Sequence, residues 1–232
     1  VTYYPVFLDL HHRRAVVVGG GRVAERKVRT LLKCGANVRV VSPSLTVGLS
    51  SLARRGAIQY RKQSYRATDL AGASLVIAAT HDPAVQEAVA RGAKKRRLWV
   101  NVVDRTDLCS FIAPSILTRG DLVIAISTGG SSPALARRLR RDLAKGIGRA
   151  YGEFLSLAGR IRTPILRQIP SPGRRRRLFH RIMNSGLLKW LQQGRRKEAL
   201  RMLQALLERE GVSIQLRKPN HPRRSVQRRQ SS

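Results

Sequence analysis

The sequence predicts an α/β fold: a Rossmann-like doubly wound parallel sheet, followed by a small α+β segment and a helical C-terminal segment. Three observations carry this. The β-branched run Val16-Val17-Val18 enters a glycine turn and then a helical pattern. Further on, apolar runs of strand length alternate with helical stretches, as in a sheet buried on both faces. Beyond residue 113 the rhythm changes to a hairpin pattern and then to long basic helices.

The elements follow in order. Val6 to Leu10 reads as a short strand, His11 to Arg14 as a polar turn and Ala15 to Val18 as the next strand. Ala24 to Lys33 has helical spacing, with Val28, Leu31 and Leu32 on one face and Gly35 as its stop. Asn37 to Val41 is a strand closed by Ser42-Pro43; Leu45 to Arg55 is helical and Ile58 to Tyr60 a short strand. Leu75 to Ala79 forms a buried strand, and Asp82 caps a helix with Pro83 in its first turn, running to about Ala90. Leu98 to Val103 is another strand. Phe111 to Ile116 and Leu122 to Ser127 then pair around Arg119-Gly120-Asp121, and a basic helix starts at Pro133. Helical periodicity continues to about Glu210, broken by Pro164, Pro170 and Pro172. The expected divisions are 1–113, 114–150, 151–216 and a basic disordered tail at 217–232, which has six cations and no acid.

Ligands of open α/β sheets bind outside the carboxyl ends of the strands, and three such ends are informative. The first reads G-x-G-x-x-A: Gly19 for the tight turn, Gly21 for close approach of a pyrophosphate, Ala24 for helix packing. The helix start that follows offers unpaired N–H groups to phosphate, although an ordinary strand-to-helix turn without ligand has the same outline. At the second end, Val41-Ser42-Pro43-Ser44, no acid stands ready for ribose hydroxyls, so the usual cue for NAD over NADP is missing. Arg22, Arg39 and Ser42 there would suit a 2′-phosphate. The third, Asn101-Val102-Val103-Asp104, puts a carboxylate at a strand mouth. Asp104 is the one acid nominated as a catalytic base; capping a turn or pairing with Arg105 is the alternative. His81, also at a strand end, is a candidate for substrate contact. The loop from Ser127 to Pro133 is rich in hydroxyls and N–H groups and suits carboxylates or phosphates; a plain connection capped by Ser132 is the other reading.

The formal charge is +33, divided as +12 over residues 1–113 and +21 over the rest. It favours encounter with polyanions of any kind, from nucleic acid to polycarboxylate metabolites. Aromatic residues make up only 5%, so no base-stacking platform stands out, and no specific nucleic-acid partner is expected. Cys34 and Cys109 are far apart, which argues for a reducing cytoplasm and against a cysteine-bound metal. Apolar runs are too short to span a bilayer, no secretory signal is visible, and a cytoplasmic protein without a metal site is expected.

Together these residues resemble the siroheme synthase N-terminal module, a family of NAD-dependent precorrin-2 dehydrogenases that often also act as sirohydrochlorin ferrochelatases. The resemblance is carried by Tyr4-Pro5-Val6-Phe7-Leu8, by Val18-Gly19-Gly20-Gly21-Arg22-Val23-Ala24-Glu25-Arg26-Lys27 and by Asn101-Val102-Val103-Asp104. It continues through Ser110-Phe111-Ile112-Ala113-Pro114-Ser115 and from Ser127-Thr128-Gly129-Gly130 to Arg137. It implies an NAD-binding domain at 1–113, a dimerisation segment at 114–150 and a homodimer. By similarity Arg22, Val23, Pro43 and Ser44 contact NAD and Asp104 is the catalytic aspartate. Thr128, at a position usually held by Ser, keeps the hydroxyl and adds a methyl group; with Ser127, Asn101 and Arg137 it is expected to meet the tetrapyrrole. The implied reaction is oxidation of precorrin-2 to sirohydrochlorin in siroheme biosynthesis, with ferrous iron as a further substrate where chelation also occurs. Methylation is not expected, since the fused methyltransferase domains are not in this sequence. Two other readings stand beside it: dehydrogenation without chelation, and a non-enzymatic Rossmann protein that senses redox state or binds nucleic acid.

Overall fold

The computed structural model describes residues 3–216; the tail expected at 217–232 lies outside them. The chain divides into two compact units: residues up to Ser115 together with Ser127–Ala136, and Ile116–Ile126 with the chain from Arg137 onward.

The first unit is built on β1 (Arg14–Val18), α1 (Arg22–Lys33), β2 (Asn37–Val41), α2 (Val47–Arg54), β3 (Gln59–Arg61), β4 (Leu75–Ala78), α3 (Pro83–Lys95) and β5 (Trp99–Val102). Its five strands are all parallel and ordered β3-β2-β1-β4-β5. The order reverses between β1 and β4, which leaves a crevice at their carboxyl ends. Valines explain the centre: Val16, Val17 and Val40 have no exposed surface, and successive residues of β1 serve the two opposite faces. Ala24, Val28 and Leu31 bury one face of α1 against the sheet. Asp82 caps α3 by accepting from the N–H groups of Ala84 and Val85, with Pro83 at the first position.

Several expectations are corrected. Residues 6–10 form no strand: both edges of β1 are taken by β2 and β4, Pro5 lacks a donor, and Val6, Phe7 and Leu8 remain exposed. Helix α2 starts at Val47 because the Thr46 hydroxyl caps it. Helix α3 runs past Ala90 to Lys95, since Ala93 continues its buried face. The hairpin strand expected from Phe111 begins only at Ser115. Ser110 and Phe111 instead donate their N–H groups to Val100, and Pro114 has none to give.

The second unit holds the hairpin β6 (Ser115–Arg119) and β7 (Leu122–Ile126), most of α4 (Pro133–Gly146), and α5 (Arg149–Gln168), α6 (Pro172–Met183), α7 (Leu187–Gln192) and α8 (Arg196–Arg209). Arg119 donates to the carbonyls of Ile147 and Ala144 and so closes the C-terminal end of α4. Pro164 does not break the chain as expected. It sits inside α5, where Phe154, Leu157, Ile161 and Ile165 bury a continuous stripe that outweighs one lost backbone bond. That stripe packs with Leu178, Ile182, Leu187, Leu203 and Leu207 from the following helices.

Candidate active site

The glycine turn uses its three residues in three different ways. Gly19 has φ +121°, a region closed to other residues, and a Cβ there would overlap the Ala79 carbonyl oxygen. Gly20 has no positive φ but packs against the loop after β2, where a Cβ would overlap the Ser44 carbonyl. At Gly21 neither cause applies. Its backbone is extended (φ −82°, ψ −175°), and an added Cβ would meet no atom within 4 Å. A side chain here would enter open space, and Gly21 as N-cap offers no side-chain acceptor to the first turn of α1. Open room before unpaired N–H groups is what a pyrophosphate requires, so these residues fit a dinucleotide.

A cleft of about 390 Å³ opens at this point, lined by residues 19–23, Ser42 and residues 79–81. The expected contacts Gly19, Gly21, Arg22 and Val23 therefore share one wall, and His81 is brought to the other. Pro43 and Ser44 are fixed next to the turn by a network that the sequence did not reveal. The Tyr60 hydroxyl donates to the carbonyls of Ser42 (3.1 Å) and Pro43 (3.4 Å), and the Thr46 N–H donates to Gly20 (2.9 Å). The Thr46 hydroxyl donates to Glu25 at 2.6 Å. That bond first, and Arg29 next, hold the Glu25 carboxyl below its ordinary value of 4.5.

Asp104 stands two residues beyond β5, exposed, with φ +62°. Its carboxylate makes no hydrogen bond or ion pair among the described residues. Arg105, the expected alternative partner, pairs with Asp107 at 2.8 Å. Lys27 lies one turn beyond Val23 on α1; burial first, and the Arg26 charge next, push its ammonium below its usual range, against smaller opposing effects of Cys109 and Asp104. The Cys109 thiol receives the Val102 N–H (3.1 Å), and the loop carrying Asp104 is closed around it; burial pushes this thiol's pKa up.

Gln86, buried on α3, joins the two strand mouths: its amide donates to the carbonyls of Thr80 (2.8 Å) and Val103 (3.4 Å). The loop after β7 also comes to this region, with Gly130 next to Thr106. Within that loop the Ser127 and Thr128 hydroxyls accept the N–H groups of Gly129 and Ser132, both at 3.1 Å, which leaves each O–H free to donate. Ser132 caps α4 through Leu135. Asn101 is placed differently from a substrate contact: it is buried, and its amide donates to the Phe111 carbonyl at 3.1 Å. Arg39 is likewise buried and committed to the Asp69 carbonyl and to Gln59. Arg137 is exposed on α4 within the second unit.

A crevice at the switch point of a parallel sheet, with open room before the first turn of the following helix, defines the class of dinucleotide-binding proteins. Residues 6–115 match a family model described as NAD(P)-binding, 119–145 one described as sirohaem biosynthesis protein central, and 150–207 one described as sirohaem synthase dimerisation region. The chain is 42% identical over 214 residues to siroheme synthase of Nitrosospira multiformis, covering 90% of this chain and 45% of that protein. It is 41% identical to siroheme synthase of Pseudomonas entomophila, covering 93% and 46%. A solved structure titled SirC, precorrin-2 dehydrogenase, matches with a TM-score of 0.76 and 28% identity, over 89% of this chain and 100% of that one. The chain belongs to the siroheme synthase N-terminal module family, and the NAD(P)-binding description falls on its parallel-sheet domain. It spans about half the length of the curated relatives it matches. The dimerisation description falls on 150–207, one segment later than the 114–150 expected to dimerise.

Proposed function

We propose that this chain oxidises precorrin-2 to sirohydrochlorin in siroheme biosynthesis, with NAD as the oxidant and Asp104 as the proton acceptor. The observation that carries the reading is the joining of the two strand mouths by Gln86. It holds the cleft wall at Thr80 and the turn of Asp104 on neighbouring strands, about 5 Å apart in the sheet. Removal of two hydrogens from the macrocycle divides into a hydride, which the nicotinamide ring accepts, and a proton. The Asp104 carboxylate, exposed and without a hydrogen-bonded partner, takes that proton. Gly21 and the first-turn N–H groups of α1 hold the pyrophosphate, while Pro43 and Ser44 border the adenosine ribose. The free O–H groups of Ser127 and Thr128 donate to substrate carboxylates or ring substituents.

We further infer a homodimer, supported by the dimerisation-region match and by exposed Ile116, Val123, Leu139 and Leu143 in the second unit. Cys34 and Cys109 are free thiols, which supports a reducing compartment, the cytoplasm. No described helix is long and apolar enough to cross a membrane.

The test is anaerobic incubation of the protein with precorrin-2 and NAD, following NADH and sirohydrochlorin absorbance. Cofactor-dependent oxidation is expected; folded protein that binds NAD but leaves precorrin-2 unchanged contradicts the reading. Ferrous ion added to the sirohydrochlorin formed, against a control without protein, separates a dehydrogenase alone from one that also inserts iron.

A further inference from the structure

The far end of the cleft, at the loop after β2, has a charge pattern that the proposed reaction does not need. Dinucleotide folds commonly place a carboxylate here, which bonds the ribose hydroxyls and repels a 2′-phosphate. In this chain the positions are Ser42, Pro43 and Ser44. The two acids nearest in the fold are both consumed. Glu25 is held by Thr46 and Arg29, and Asp69 is fully buried under Arg61, Gln63 and the Arg66 N–H.

Free positive charge flanks the same loop. Arg22 lines the cleft and also a second hollow of about 440 Å³ along α1, whose wall includes Arg26, Arg29 and Lys33. Arg22 forms no ion pair among the described residues. On the other side the Ser42 N–H donates to the Arg61 carbonyl at 3.2 Å, which sets Lys62 directly beside the loop. Lys62 is exposed and likewise has no ion pair among the described residues. Ser42 faces Gly20 at the cleft wall, and its hydroxyl brings a donor without bulk or charge. Arg39, a third candidate cation in the sequence, is spent in the interior on Asp69 and Gln59.

We propose that the ribose subsite accepts a 2′-phosphate between Arg22 and Lys62, so that the protein binds NADP as well as NAD. This deepens the reading of the glycine cleft as the dinucleotide site and rests on it. Two exposed cations without ion-pair partners among the described residues flank the loop, and no free carboxylate opposes a phosphate there.

Calorimetric titration of the full chain with NAD, NADP and 2′,5′-ADP tests the proposal without any turnover. NADP is expected to bind within about tenfold of NAD, with 2′,5′-ADP also binding. Ser44→Asp, which restores a carboxylate at the ribose, is expected to lower the ratio of NADP affinity to NAD affinity about tenfold or more. Arg22→Gln combined with Lys62→Gln is expected to weaken NADP more than NAD, and the NADP affinity of the wild type to fall more steeply with salt. NAD binding with NADP about 100-fold weaker or worse overturns the proposal and leaves the cleft assignment standing. An equal effect of Ser44→Asp on both dinucleotides also overturns it. Failure to bind either dinucleotide overturns the cleft assignment itself.

Discussion

The Gln86 amide donates to the Thr80 carbonyl at 2.8 Å, and the same nitrogen reaches the Val103 carbonyl at 3.4 Å. One buried side chain on α3 thus fixes the ends of β4 and β5, the first leading to the cleft and the second to Asp104. Gln86→Leu keeps the volume and deletes both bonds. It is expected to cost about 1–3 kcal/mol of stability, because the interior carbonyls lose their donor. Turnover is expected to fall about tenfold or more through misplacement of Asp104, with NAD affinity changing less. Thermal unfolding, NAD titration and precorrin-2 oxidation on the same preparation check the three effects separately.

Gly19 and Gly21 make opposite predictions although they stand two residues apart. Gly19→Ala forces a side chain into φ +121° and against Ala79, at an expected cost of about 1–3 kcal/mol or more. Gly21→Ala meets nothing in the protein. Its cost in stability is expected to be only that of Ala for Gly at an N-cap, about 0.5–1 kcal/mol, while NAD affinity falls about tenfold or more because the methyl group takes up room in the cleft. Melting curves with and without NAD distinguish the two; a Gly21→Ala protein that binds NAD normally removes that glycine from the cofactor site.

Glu25 links α1 to the loop bearing Pro43 and Ser44, and its carboxyl is held below 4.5 by Thr46 and then Arg29. A depressed carboxyl contributes stability that is full above the unfolded value and is lost as pH falls through the folded one. Glu25→Gln is therefore expected to melt a few degrees below the wild type at pH 7. The gap closes as the pH is taken below 4.5, and melting temperatures from pH 7 to 3 measure it. A gap that widens on acidification contradicts the assigned role.

Much of this architecture was legible in local sequence. Val16-Val17-Val18 before glycine, the Asp82-Pro83 helix start and the Ser132 cap all declare themselves within a few residues, because their physics is local. Relationships across the chain were not. Gly20 is required by Ser44, Glu25 acts through Thr46, and Gln86 serves two strands at once; none of these has a fixed spacing that a reader of the sequence could test. Residues 6–10 misled for the same reason, since their strand-like pattern carried no information that both edges of β1 were already occupied. Pro164 misled because the buried stripe of α5 outweighs a local rule. At the site, the strand mouth by itself nominates Asp104, whereas the half-buried place of Lys27 on α1 depends on packing that no local pattern shows.

Asp104 is expected to take the proton released when precorrin-2 is oxidised. The most direct measurement is the anaerobic rate and stoichiometry of NADH and sirohydrochlorin formation for wild type and Asp104→Asn, with NAD affinity determined in parallel. The wild type is expected to form one NADH per sirohydrochlorin. The variant is expected to bind NAD as the wild type does and to turn over about 10²–10⁴-fold more slowly. A variant that oxidises precorrin-2 at the wild-type rate would contradict the claim and move the proton acceptor elsewhere.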